Sequence, residues 1–465
     1  MQHRRFLALF SLLMVMALLL AACPAPAAPA PATSSEAAAP AAEATKAPES
    51  EAAAPVAPVA PAAVSDEVVT IEYWQYNFEA RVTAMNQLIE MFEAENPNIK
   101  VVHNSDIPYA EFRDKIAASV PAGVGPDVAS LFYGWQSAWI DAGYLVPLPE
   151  DAFPPAMVAS DFSPMVQASF VDGTLYTLPT AVRTLALFYN KDLMTAAGLD
   201  PEKPPTTLDE LAEQAVACTV RAANGDYEVE GFVTDLGAQD HHWFREVLVR
   251  QFGGVPYSDD GRTVMYNDDA GLQAWNYLLA FKTELETGDN TLFTDSTNAF
   301  VSGKVCFHVD GSFRLGTLAS SAPDMNFGVA ELPTHNGIQS TFGSYWTHGI
   351  TKKAAADQAR FDASVKFLQF ITSAQAGSIW VDIVGELPAQ LEAGSDPELA
   401  ADPKLGAFAR GLAYAHATFF ADESAQRQAM IDAYDMVVLA DEDPAVALEI
   451  AAETDQEILD GFFSK

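Results

Sequence analysis

The chain reads as an α/β protein whose sheet is parallel and wrapped by helices. Two observations carry this. Strand-like and helix-like runs alternate from residue 69 onward, and hydrophobic residues make up 49% of the chain, ample for real cores. "VTIEYWQY" is the first strand. "RVTAMNQLIEMFEAENPN" follows, with apolar residues at helical spacing and a stop at Asn-Pro. "IKVVHNS" is a second strand, "YAEFRDKIAASVPAG" a second helix and "PDVASLF" a third strand. That βαβαβ order needs crossovers, hence parallel pairing. Farther on, Thr207 and Glu210 in "PPTTLDELAEQ" have the spacing of a capping box, which predicts a helix start. "VKFLQFITSAQAGSIWVDIV" and "PAVALEIAAETDQEILDGFF" read as later amphipathic helices. There is no internal repeat.

The first 66 residues have a different character. Arg4 and Arg5 precede an almost unbroken apolar run, Phe6 to Ala22, the pattern of an export signal. An uncleaved anchor helix is the alternative for a run of that length. The seam Leu20-Ala21-Ala22-Cys23 resembles the lipobox of bacterial lipoproteins and favours cleavage, with residues 1–22 as signal peptide. Cys23 is then the expected lipidation site, holding the protein to the outer face of the cell membrane; stable anchoring takes more than one acyl chain. Residues 23–66 are mostly Ala and Pro. They cannot bury enough surface to offset the entropy of folding, and they read as a semi-stiff tether.

From Glu67 to Lys465 there is chain enough for two domains. Asp and Glu number 63 against 25 Lys and Arg, for a formal net charge of −38. So acidic a surface repels phosphate backbones, which excludes nucleic acid as a partner. Besides Cys23, only Cys218 and Cys306 are present. Cys218 lies in the helical pattern "LDELAEQAVACTV" and Cys306 in the strand-like "GKVCFHV". Outside the cytoplasm such a pair either oxidises or stays as two small core residues; both readings stand.

At "YTLPTAVRTLALFYNKDLMTAAGLDPEKPPTTLDEL" the chain closely resembles the extracellular solute-binding proteins of bacterial ABC importers, carbohydrate-binding family 1, the maltose-binding type. "GPDVASLFYGWQSAWIDAGYLVPL", "FVSGKVCFHVDGSF", "GVAELPTHNGIQSTFGSYWTHGITKKA" and "GELPAQ" follow the family's order and cover nearly the whole body. Leu208 and Phe313 depart from the pattern, since Trp is common at both positions in the family. The resemblance implies a two-lobe, periplasmic-binding-protein-like clamshell with discontinuous lobes joined by crossover strands. The first lobe would hold 67–180 and 333–383, the second 181–332 and 384–465. It further implies a monomer that captures a carbohydrate between its lobes by hinge closure and delivers it to membrane permease subunits.

A sugar cleft needs flat aromatic faces for ring C–H groups and planar polar groups for hydroxyls, placed where loops leave the carboxyl ends of strands. Gln75, Tyr76 and Asn77 follow the first strand; Tyr133 and Trp135 follow the third. By the family's motifs, Arg183 stands where members carry a ligand-contacting acid, and His241 and Trp243 fall on ligand-contacting positions. Asp310, Phe313, Gly343, Ser344, Tyr345 and Trp346 complete the expected set, with Phe419 and Phe420 as a late aromatic. Arg183 admits two readings: a salt bridge inside an acidic protein, or a fork for an acidic or phosphorylated sugar or a glycerophosphodiester.

Motifs of other function classes are missing. There is no His-Glu-x-x-His, Gly-x-Ser-x-Gly or Walker loop, and "GVGPD" lacks the third glycine of a dinucleotide fingerprint. His241 and His242 diverge on a helix, and no third metal ligand is apparent. No enzyme activity, cofactor or metal is therefore expected. A signalling receptor and a secreted polysaccharide hydrolase are the rival readings.

Overall fold

The computed structural model describes residues 68–289 and 295–464. The export signal, the tether and the lipidation expected at Cys23 lie outside them. Strand β1 (Val69–Tyr76) is buried along most of its length and accepts a parallel neighbour on each side. Helix α1 (Glu79–Glu95) turns Arg81, Ala84, Met85, Leu88, Ile89 and Phe92 inward, the spacing of one helical face. It stops at Asn96 because Pro97 disfavours helical backbone in the residue before it. Strand β2 (Ile99–Ile107), helix α2 (Tyr109–Ser119) and strand β3 (Val128–Phe132) complete the expected parallel βαβαβ unit.

After α3 (Gln136–Asp141) the chain reaches β4 (Thr177–Leu178) and, three residues later, β5 (Ala181–Asn190). All ten residues of β5 are buried. Helix α4 (Leu208–Cys218) starts where the capping box predicts: Thr207 Oγ1 accepts from Glu210 N at 3.1 Å, and the Glu210 carboxylate accepts from Thr207 N. Then come β6 (Val220–Arg221), β7 (Tyr227–Phe232), α5 (Gln239–Gln251), β8 (Val305–Gly311), α6 (Arg314–Ser321), β9 (Phe327–Ala330), β10 (Thr341–Ser344) and β11 (Trp346–Ile350). The long apolar stretch after residue 358 is two helices, α7 (Gln358–Ile371) and α8 (Ala374–Val384), rather than one. Ser373 divides them, its side chain accepting from Ala376 N as an N-cap. β12 (Leu387–Pro388), β13 (Ala415–His416), α9 (Glu423–Ala440) and α10 (Pro444–Phe463) close the chain.

The strands form two main sheets. One has the order β2-β1-β3-β11-β4; the other runs β13-β10-β5-β8-β7-β6, with β9 and β12 also pairing β5. Sequence neighbours thus divide between sheets at three places. Pro179 and Thr180 separate β4 from β5, Tyr345 separates β10 from β11, and Gly385 and Glu386 lead from α8 into β12.

Cys218 and Cys306 are joined in a disulfide that ties the end of α4 to β8 across 88 residues. Both are buried. The paired reading of the two cysteines is therefore the one realised. By the loop-closure relation a link of this span stabilises by about 4–5 kcal/mol. Replacing both cysteines with alanine is expected to lower the unfolding free energy in guanidinium by about that amount; an unchanged midpoint would contradict this.

Candidate ligand site between the two sheets

The site follows from strand register. β11 lies antiparallel to β3 with Trp346 opposite Phe132, and β10 lies antiparallel to β5 with Ser344 opposite Arg183. Tyr345 lies between these two pairings, where the chain passes from one sheet to the other. The side chains that gather there are mostly aromatic. Tyr76 meets Trp346 at 4.4 Å between centroids, and Trp135 meets Trp346 edge-on at 5.3 Å. Phe132 stacks on Trp243 at 5.6 Å, and Phe342 stacks on Trp243 at 5.0 Å, nearly parallel. Tyr133 stacks on Tyr345 at 4.7 Å and meets Phe420 at 5.9 Å. Rings at these separations are held by area burial and by quadrupole geometry.

Arg183 lies inside this stack. Its guanidinium sits 4.7 Å from the Phe313 ring and 5.2 Å from the Trp243 ring, and its Nε donates to Ser344 Oγ at 2.7 Å. Among the described residues no carboxylate lies within 4 Å of it. The salt-bridge reading of Arg183 is therefore not realised. Asp240 faces the same region. Burial, together with the charge of Asp310, pushes its carboxyl up to about 7 despite the opposing charges of Arg183 and Arg314. Among the described residues, the buried atoms Gln75 Nε2, Tyr133 Oη, Asp240 Oδ1 and Trp243 Nε1 have no hydrogen-bond partner here. Unpartnered buried polar atoms are costly unless a ligand or solvent completes them.

His241 and Asp310 belong to a separate polar chain. Asp235 N donates to His241 Nδ1 at 3.1 Å, so the proton of the neutral ring sits on Nε2. That nitrogen faces His308 Nδ1 at 3.4 Å, and His308 Nε2 in turn donates to Asp310 Oδ2 at 3.1 Å. Burial and the neighbouring His308 hold His241 down at about 4, so it is neutral at pH 7. Arg314 Nε also donates to Asp310. Burial would raise the Asp310 carboxyl, but Arg314 and His308 outweigh it and keep it well below the carboxylate range. Among the described residues no three His, Cys, Asp or Glu side chains group so as to hold a metal ion.

The expected residues therefore separate. Tyr76, Tyr133, Trp135, Arg183, Trp243, Phe313, Ser344, Tyr345 and Trp346 come together, with Gln75 beside them. Asn77 is exposed and outside the stack. Gly343 contributes no side chain: a Cβ there would stand 2.8 Å from the Met165 methyl, so a larger residue would require the Met165 side chain to shift. Phe419 packs on Phe462 and Phe463 instead of the stack, whereas Phe420 joins it. Phe342, Tyr109, Arg81 and Glu386 were not anticipated as members; Tyr109 meets Trp346 at 6.2 Å. Arg81 did leave a signal, as a charged residue on the inward face of α1. Its guanidinium pairs with Glu386, donates to Tyr76 Oη at 2.5 Å and lies 5.2 Å from the Trp346 ring. Trp380 Nε1 donates to the other Glu386 oxygen at 2.8 Å.

Burial pushes the Glu386 carboxyl up, but the Arg81 charge and hydrogen bond outweigh it and leave the group below its ordinary range. A depressed carboxylate adds stability that is present above the unfolded value of about 4.3 and is lost as pH falls through the folded value. Glu386→Gln is accordingly expected to cost about 3–5 kcal/mol at pH 7, because it strands a buried cation. In paired denaturation curves the gap between the two proteins should narrow below about pH 4.3; a gap that stays constant with pH would contradict the ion pair's role.

Residues 67–378 match the family profile described as bacterial extracellular solute-binding protein. A maltotriose-binding protein of Pyrococcus abyssi is 24% identical over 354 residues, 74% of this chain and 71% of that protein. An sn-glycerol-3-phosphate-binding periplasmic protein of Escherichia coli K12 is 23% identical, over 69% of this chain and 74% of its own length. Among solved structures, a cyclic alpha-maltosyl-1,6-maltose binding protein from Arthrobacter globiformis superposes with a TM-score of 0.72 at 22% identity. It covers 85% of this chain and 100% of that one. A maltose/maltodextrin-binding domain from Bdellovibrio bacteriovorus bound to maltotriose gives 0.69 at 21% identity, with the same coverage. These likenesses show a shared two-lobe fold.

Proposed function

The chain belongs to the bacterial extracellular solute-binding proteins, and from that premise we propose that it captures a carbohydrate between its two sheets and delivers it to the permease of an ABC importer. The observation that carries this reading is the aromatic stack with orphan polar atoms beside it. Trp243, Trp346, Trp135 and Tyr76 offer apolar faces, while Gln75 Nε2, Asp240 Oδ1 and Trp243 Nε1 lack partners. A mono- or oligosaccharide supplies both complements, C–H faces and hydroxyls, in one molecule. Capture is by hinge motion: rings now stacked on one another part on opening and close on the ligand, which favours the closed form by touching both sides. Relatives named for maltotriose and maltodextrin support the carbohydrate class.

The lobes are proposed at 67–180 with 333–383 and at 181–332 with 384–465, modified at one point. Because β10 pairs with β5, residues 341–344 go with the second lobe and the crossing falls at Tyr345. The protein acts as a monomer and performs no catalysis. It is tethered to the outer face of the cell membrane through lipid on Cys23, as the Leu-Ala-Ala-Cys seam suggests. Among the described residues no helix is long and apolar enough to cross a membrane.

A second reading rests on Arg183. A buried guanidinium without a carboxylate within 4 Å among the described residues favours an anionic ligand, an acidic or phosphorylated sugar or a glycerophosphodiester. The sn-glycerol-3-phosphate-binding relative points the same way.

A thermal-shift screen of the purified protein separates the two. A ligand at 100 times its dissociation constant adds about 2.7 kcal/mol of stability. Shifts with neutral oligosaccharides are expected; silence across all sugars, with a shift from amino acids or polyamines, would sink the carbohydrate reading. Trp243→Phe keeps a ring in the stack but removes the orphan N–H, and should weaken sugar binding about tenfold by calorimetry. Arg183→Ala should abolish any preference for acidic over neutral sugars; a preference that survives would exclude Arg183 as the anion site.

A further inference from the structure

Away from the aromatic stack, a cavity of about 560 Å³ opens between the segment 167–172 and the segments 250–262 and 416–419. None of the stacked residues lines it. Arg250, half-buried near the end of α5, faces it, and Arg262 flanks it with its guanidinium 4.1 Å from the Phe463 ring. Among the described residues neither arginine has a carboxylate within 4 Å, in a chain of net charge −38. His416 lies on the same wall, held below its usual value by burial and by the charge of Arg250. Acids do occur at the rim. Asp172, Asp259 and Asp260 are exposed, and Asp260 is engaged by its own turn, accepting from Ser258 Oγ at 2.6 Å and from Arg262 N at 3.2 Å. Four rings also line it, Phe170, Tyr257, Phe419 and Phe463, beside the polar side chains of Gln167, Ser258 and Thr418.

We propose that this cavity is a second ligand site, which takes a small carboxylate carried on a flat apolar ring, with Arg250 forking the carboxylate and Phe419 and Phe463 packing on the ring. A planar guanidinium matches a carboxylate in bidentate geometry, and partial burial strengthens that bond relative to bulk water. The aromatic walls select against a fully hydroxylated body, which distinguishes this site from the carbohydrate site. Occupancy also has a consequence for motion. Segment 167–172 leads into β4 of the first sheet, while 250–262 follows α5, which packs on the second. A ligand that touches both favours one relative placement of the two and so couples to sugar affinity.

The test uses the full protein with 1-naphthoate, its neutral isostere 1-naphthamide, and galacturonate, each by isothermal calorimetry. The expected result is that naphthoate binds at least tenfold tighter than the amide, and that Arg250→Gln removes the difference. Arg262→Gln changes an exposed side chain and cannot unfold the protein; it should weaken naphthoate several-fold. Carbohydrate binding in the Arg250→Gln variant should be unchanged, so failure of the sugar reading and failure of this one are separable. Absence of naphthoate binding, equal binding of acid and amide, or indifference to both arginine substitutions would overturn the proposal. Galacturonate binding that depends on Arg250 while naphthoate does not bind would overturn its apolar half.

Discussion

Arg183 occupies the third position of a strand whose ten residues are all buried, and that strand pairs with β8, β9, β10 and β12. Taking a guanidinium out of water costs on the order of several kcal/mol unless other groups replace its hydration. Here the replacement is aromatic and polar instead of anionic. The Phe313 and Trp243 rings lie near the cation, and Ser344, directly opposite in the ladder, accepts from Nε. The register of β10, the placement of α5 and the turn after β8 all answer to that one cation. Each contributes a group to its surroundings, and each is tied to β5 or to its ladder.

The Arg81–Glu386 pair is the counterpart on the other sheet. It joins α1 to the segment leading into β12, and it fixes Tyr76 and Trp380 by hydrogen bonds. Two buried arginines thus border the aromatic stack: Arg81 is paired with Glu386, and Arg183 has no carboxylate within 4 Å among the described residues. In a chain of net charge −38, Arg183 is a buried cation at the junction of the sheets and sets a local positive field there. Such a field favours polar or anionic ligands inside. A chain of hydrogen bonds runs from Asp235 N through His241 and His308 to Asp310, whose carboxylate Arg314 also pairs.

Most of the fold was legible in the sequence because its signals are local. The first βαβαβ unit, the capping box at Thr207 and the final helix over 444–463 came from periodicity and cap chemistry, which act within a few residues. The apolar stretch after residue 358 misled at one point only. Ser373 ends one helix and caps the next, and a single hydroxyl weighs little against a run of apolar residues. Aromatic residues of the site were legible from their motifs. Arg81, Glu386, Phe342 and Tyr109 were not, since their roles come from elements that meet only in three dimensions.

By itself, the sequence determined the class of protein, the alternating α/β elements, the acidic surface and the candidate aromatic and arginine residues. It also contains the apolar run of residues 6–22, the cysteine that follows it and an Ala/Pro-rich stretch to residue 66. Only the tertiary structure decided that Cys218 and Cys306 are joined, and that Arg183 stands among rings instead of beside a carboxylate. It alone decided that Asn77 and Phe419 fall outside the stack. The physical reason is range. Propensity, capping and hydrophobic period are set by neighbours along the chain, whereas burial of a charge or an orphan polar atom depends on strands more than a hundred residues apart brought into register.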